Sequence, residues 1–192
     1  MGPLAVLKGE HALFRRVLDS MDLCASRIER GGNQRDLPRF VLLLRAFVDG
    51  WHGPKEEKAL FDVMVRHGFS ATTGPLPLMA AEHMEAHRML EMLATLIAEG
   101  RMEEPSKVRM VLQALRSVEY LLRYHMDMEE AVVYPAAEAE LPPEAIRMIE
   151  ERLKAGERGG RVDITGGAIR RLAHELQILY PIPTLPALAA SA

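Results

Sequence analysis

The chain has 192 residues, 48% hydrophobic and 27% charged, with a net charge of -3. That balance gives a globular domain with material for a sizeable core, and the lack of a basic block argues against a nucleic-acid partner. The longest apolar runs, such as Phe40 to Leu44, are far too short to span a bilayer, and the N-terminus lacks the charged flank and apolar core of a signal peptide, so a cytoplasmic protein with no membrane partner is expected.

No strand-like alternation of any length occurs, and helical spacing runs through most of the chain. A first helix is expected over about Leu4 to Arg30, with Leu7, His11, Phe14, Leu18 and Met21 at steps of three and four and Gly31-Gly32-Asn33 as its stop. Cys24, the single cysteine, excludes an internal disulfide and reads as a small buried hydrophobe in a reducing compartment. A second helix starts near Asp36, an acceptable N-cap with Pro38 in the first turn, and buries Leu37, Val41, Leu44, Val48 and His52. Pro54 lacks a backbone donor and is expected to kink or split this helix, which resumes at Glu56, Leu60 and Val63 and stops at His67-Gly68.

Ser70 to Pro77 reads as a loop. A third helix follows over about Leu78 to Glu99, with Ala80, His83, His87, Leu90, Ala94 and Ile97 as its inner stripe. The fourth runs from Pro105-Ser106 to about Ala139 on Val111, Leu115, Val118, Leu122, His125, Glu129 and Val132. Leu141-Pro142-Pro143 breaks the chain. Glu144 to Leu153 forms a short helix, Gly156 to Gly160 a joint, Ala168 to Tyr180 a further helix, and Pro181 to Ala192 an irregular end. The division is therefore a four-helix bundle over residues 1–140 and a C-terminal helical extension over 141–192. No internal repeat at a fixed period is seen; His67 fits a solvated or dipole-facing position in a last helical turn, and His174 reads as structural or exposed.

Each of the four long helices carries ligand-type side chains on the stripe that faces the core. They are His11, then His52 with Glu56, then His83 with His87, then His125 with Glu129. Residues four apart lie ~40° apart on a helix, so each pair shares a face, whereas Glu130 is rotated ~140° from His125. The inner stripes of an up-down-up-down bundle converge. Five imidazoles and two carboxylates in an apolar core are hard to satisfy by hydrogen bonds alone, and bound metal relieves that cost. Mixed imidazole and carboxylate donors suit iron, zinc or manganese, and seven ligands exceed the four of a closed zinc site, which argues for two ions. The Glu-x-x-His step of ferritin-like bundles is absent: Asp49, Ala80 and Leu122 stand three before His52, His83 and His125.

Four motifs in order carry a resemblance. They are Glu10-His11; His52-Gly53-Pro54-Lys55-Glu56-Glu57 before Leu60-Phe61; Glu82-His83; and His125-Met126-Asp127-Met128-Glu129-Glu130 before Tyr134-Pro135. Over about residues 4 to 140 the chain resembles the hemerythrin-like, or HHE cation-binding, family. The resemblance implies a four-helix bundle with a non-haem di-iron centre. It implies His11, His52, His83 and His125 as terminal ligands and Glu56 and Glu129 as bridges. A histidine four after the first on the third helix is a feature of the oxygen carriers, so His87 is included. Those carriers also set the last carboxylate five after the final histidine, which would select Glu130, whereas most bacterial members use four, which selects Glu129.

The ligand count separates two kinds of activity. With His87 bound, five histidines, two bridging carboxylates and one bridging oxo or hydroxo group fill about eleven of twelve positions on two six-coordinate irons, and one open position suits reversible O2 binding for storage, delivery or sensing. Without it a second position opens, which favours chemistry on peroxide or nitric oxide, or iron donation for repair of damaged iron centres. No general acid or base outside the ligand set is visible, and Trp51 and Tyr124 are explained at least as well by packing as by electron transfer. O2 binding without catalysis is the favoured expectation, with a homodimer through the C-terminal segment as a further one.

Overall fold

The computed structural model describes residues 4–99, 104–156 and 166–182, and these are almost entirely helical, with no strand among them. Six helices follow in order: α1 (Ala5–Glu29), α2 (residues 37–66), α3 (Pro75–Ala98), α4 (residues 105–140), α5 (Pro143–Gly156) and α6 (Gly166–Leu179). The joint expected over Gly156 to Gly160 lies outside the described residues beyond Gly156, as does the irregular end from residue 183.

Helix α1 buries Leu7, His11, Phe14, Leu18, Met21, Ala25 and Ile28 along one side. It ends where Gly31 turns left-handed (φ +86°). The Gly32 N–H then donates to the Arg27 carbonyl and the Gly31 N–H to that of Ile28, a Schellman closure. Asp36, expected to cap α2, makes no side-chain cap. Its carboxylate is buried and accepts from Arg39 (3.1 Å) and from the Tyr180 hydroxyl (3.0 Å). Helix α3 begins three residues earlier than its spacing suggests, because Pro75 and Pro77 both fall in the first turn, where no intrahelical donor is required.

Pro54 does not end the helical run, which continues unbroken through α2. The chain instead widens into two turns in which the N–H reaches five residues back: His52 to Phe47, and Asp62 to Glu57. The first wide turn, Ala46–Trp51, lies just ahead of Pro54 and loosens the ladder where its ring would meet a carbonyl. A third wide turn, Glu129–Val133, lies in α4, where Tyr134 donates to the Glu129 carbonyl. It moves the buried seam by one residue, so Val133 is buried while Val132 is exposed.

One core cluster collects the later part of α1, the start of α2, the later part of α3 and the earlier part of α4, from Phe14 and Phe40 to Leu93 and Val111. The other gathers the opposite ends: Leu4 and Leu7, Leu60 to Met64, Leu76 and Met79, and Val133 to Ala137. Successive helices of the bundle therefore alternate in direction. Helix α5 adds Ala145, Ile149 and Leu153 to the second cluster, and α6 adds Ile169, Ala173, Leu176 and Tyr180 to the first. Arg152 ties α5 to Asp62 of α2 at 2.6 Å. Trp51 is 5.8 Å edge-on to Phe47, with Lys55 and Arg170 over its ring at 4.6 and 4.9 Å, so it holds α6 against α2. Cys24 is fully buried, and burial pushes its thiol pKa up. Among the described residues no helix is long and apolar enough to cross a membrane.

Candidate metal centre

Between the two apolar clusters lies a polar layer that is itself buried: Glu10, His11, His52, Lys55, Glu56, His83, His125 and Glu129, each less than a tenth exposed. The four histidines point their Nε2 atoms at the centre, and each Nδ1–H donates outward to a carboxylate. His11 donates to Glu130 (2.8 Å), His52 to Glu10 (2.8 Å), His83 to Glu57 (2.9 Å) and His125 to Glu82 (2.9 Å). Such partners fix the ring orientation and leave Nε2 as a bare lone pair. The Nε2 atoms of His11 and His52 are nevertheless 2.8 Å apart. Two facing lone pairs repel, so this spacing calls for a cation, a proton or a metal ion, against both.

Glu56 and Glu129 are both fully buried between these rings. Glu56 lies 3.3 Å from His52 Nε2 and 3.4 Å from His83 Nε2, and Glu129 3.4 Å from His11 Nε2 and 3.3 Å from His125 Nε2. Two tetrads result, His11–His52–Glu56–Glu129 and Glu56–His83–His125–Glu129, in each of which the donor atoms lie within 4.8 Å of one another. Both carboxylates belong to both. Glu56 Oε2, His125 Nε2 and both oxygens of Glu129 are buried with no hydrogen-bond partner. Orphaned acceptors of this kind cost on the order of 1–3 kcal/mol each, more when charged, and coordination is what would satisfy them. In the metal-free protein the charges compensate one another instead. Burial would lower the His52 pKa, but Glu56 and Glu10 outweigh it and push it up to about 10. His125, with Glu129 and Glu82, is likewise pushed up to about 10.

His87 is not brought to the centre. It is half exposed, and its Nδ1 meets Asp49 at 3.1 Å. The buried seam of α3 runs Met79, His83, Ala86, Leu90, Leu93, stepping by three where the expected stripe stepped by four. His87 is thereby turned outward, and it joins neither tetrad. The choice between Glu129 and Glu130 resolves into two different tasks: Glu129 faces the centre, while Glu130 orients His11 and is itself held by Arg15 at 3.1 Å. His67 is exposed, donating to the Val63 carbonyl at 2.9 Å, and His174 is exposed.

The orienting carboxylates are what the spacing argument missed. Glu10 and Glu82 immediately precede a histidine of the centre, and Glu57 and Glu130 immediately follow its glutamates, so the signal was a doubled polar residue at each motif. None orients its own neighbour. Glu10 of α1 serves His52 of α2, and Glu82 of α3 serves His125 of α4; Glu57 of α2 serves His83 of α3, and Glu130 of α4 serves His11 of α1. Exchanging α1 with α3 and α2 with α4 reproduces the centre. The ring pairs agree too: His11–His52 at 4.6 Å and 58°, His83–His125 at 4.6 Å and 55°. A two-part internal correspondence thus exists, confined to the ligand motifs. Lys55 breaks it, donating to Glu10 at 2.5 Å from a buried position.

A small cavity of about 10 Å³ adjoins the centre, walled by Phe14, Phe47, Val48, Leu122 and Met126 and reaching His52, His83 and His125. That is barely the room of one water, and its walls are apolar.

No curated protein matches the chain. The family described as the hemerythrin HHE cation-binding domain matches residues 2–137, a span that contains every residue of the two tetrads. With buried histidines and glutamates poised for metal inside a helical bundle, the chain belongs to the hemerythrin HHE cation-binding family.

Proposed function

We propose that the chain is a non-haem di-iron protein that binds O2 in the bundle core. The observation that carries this reading is the sharing of Glu56 and Glu129 by two tetrads, a donor set that suits two ions bridged by carboxylates. The proposed ligands are His11 and His52 on one ion, His83 and His125 on the other, and Glu56 and Glu129 between them. His87 is left out. When bound, iron would supply the redox change that lets a diatomic molecule be held. The protein's own part is to keep the four Nε2 lone pairs aimed, to neutralise the ions with two carboxylates, and to exclude water. The small, mostly apolar cavity beside His52, His83 and His125 favours a small apolar molecule such as O2 over a charged or organic substrate.

A second reading, reaction with peroxide or nitric oxide, is favoured by the exclusion of His87, because one protein ligand fewer leaves a further position open. The buried apolar residues of α5 and α6 cover their own bundle, while Met148, Ile178 and Leu179 stay exposed and leave a face for the expected homodimer. The test is to load the protein with ferrous iron without air, admit O2, and then degas. An absorption change that reverses on degassing supports O2 binding. Irreversible oxidation with peroxide consumption supports the second reading, and a chain that takes up zinc alone at one ion refutes the di-iron proposal.

A further inference from the structure

The two halves of the centre differ at one aromatic pair. Phe61 and Tyr134 each stand five residues after a buried glutamate, Glu56 or Glu129. Phe61 stacks on His83 at 6.2 Å and 13°, and Tyr134 stacks on His11 at 5.6 Å and 19°. Phe61 ends in carbon. Tyr134 carries a hydroxyl that is wholly buried, 2.5 Å from Glu56 Oε1 and 3.3 Å from His11 Nε2. Both of those atoms belong to the His11–His52 tetrad. The phenol oxygen is therefore a fifth oxygen or nitrogen donor crowded onto that tetrad, at spacings typical of atoms that share one ion. The His83–His125 tetrad has no such donor from Phe61, and both of its histidines line the small cavity, which His52 also reaches.

We propose that Tyr134 is a ligand of the ion held between His11 and His52, so that the two metal positions are chemically unlike. One is closed by a phenol oxygen, and the other has none. This rests on the two-ion reading above. Ligation replaces the O–H contact to Glu56 by an oxygen–metal bond and releases the phenolic proton, one per chain. A phenolate is a hard anionic donor and favours the ferric over the ferrous state, so the closed ion is the harder of the two to reduce.

The proposal has a signature independent of activity, because a phenolate on ferric iron absorbs visible light and its ring modes are enhanced in the resonance Raman spectrum. The other tyrosines do not compete: Tyr120 and Tyr124 are exposed, and Tyr180 is engaged by Asp36 and packed 5.6 Å from Phe40. The wild-type chain, loaded with ferric iron, is expected to bind two ions and to show tyrosinate modes that shift when tyrosine is supplied ring-deuterated. Tyr134→Phe is expected to lose the modes and the visible band while keeping both ions. The isotope shift in the wild-type protein answers the question even where the variant folds poorly. Two ions without tyrosinate modes, or modes that survive in Tyr134→Phe, overturn the proposal and leave the di-metal reading standing. Fewer than two ions per chain overturns both.

Discussion

Gly53 is the residue on which the geometry of α2 can be tested most sharply. It lies between His52 and Glu56, in the turn that follows the first wide segment. A Cβ built there would sit 2.4 Å from the backbone carbonyl oxygen of Val48, five residues back, and 3.7 Å from His83 Cε1. Ordinary contact begins near 3.4 Å, so the overlap is about 1 Å against backbone, which cannot rotate away as a side-chain tip could. Relief requires undoing the wide turn, and with it the register that aims His52 at the centre. Overpacking in a core costs about 1–3 kcal/mol, and occasionally more. A clash with backbone belongs at the upper end, so Gly53→Ala should destabilise by about 3 kcal/mol. Gly9→Ala is the control: it sits within α1 with nothing inside 4 Å of the added atom, and should gain about 0.4–1 kcal/mol. Urea unfolding of the metal-free protein measures both, and metal analysis shows whether Gly53→Ala also loses iron. A Gly53→Ala chain with an unchanged midpoint and full loading would refute the claim that the wide turn sets the ligand register.

Three further outcomes follow from the centre and its supports. Glu82→Gln leaves His125 without its charged Nδ1 partner, and Glu10→Gln does the same for His52 while stripping Lys55 of its carboxylate; each should weaken metal binding about 10–100-fold in a competition against a chelator. His87→Ala should leave the number of ions per chain unchanged while His83→Ala lowers it, since only His83 lies in a tetrad; equal losses in metal analysis would return His87 to the ligand set. Leu176→Ala, fully buried where α6 meets the bundle, should cost about 2–5 kcal/mol in denaturant unfolding, and a neutral result would show α6 to be dispensable.

Much of the fold is carried by the apolar period. The steps of three and four in the four long helices place His11, His52, His83, His125 and the two glutamates on the inner seam, where they are buried. The period fails where the helix departs from 3.6 residues per turn. Val132 and Val133 exchange places because a wide turn starts at Glu129, and nothing in Glu129 to Val133 announces that turn. His87 fails differently. The stripe drawn through it and the stripe drawn through Ala86 fit the same histidine at 83, and only the packing of Leu90 and Leu93 decides between them. The orienting carboxylates were legible as residues but not as partners, because each bond crosses to another helix.

That crossing pattern bears on when the site comes into being during folding. His11 takes its carboxylate from a residue 119 positions away, and His52 takes its own from 42 away. No single helix, and no pair of neighbouring helices, holds a complete tetrad. A nascent or half-collapsed chain therefore offers a passing metal ion scattered, floppy imidazoles rather than a binding site. Capture should come only after the last long helix docks, which makes metal uptake a clock for the final step of assembly.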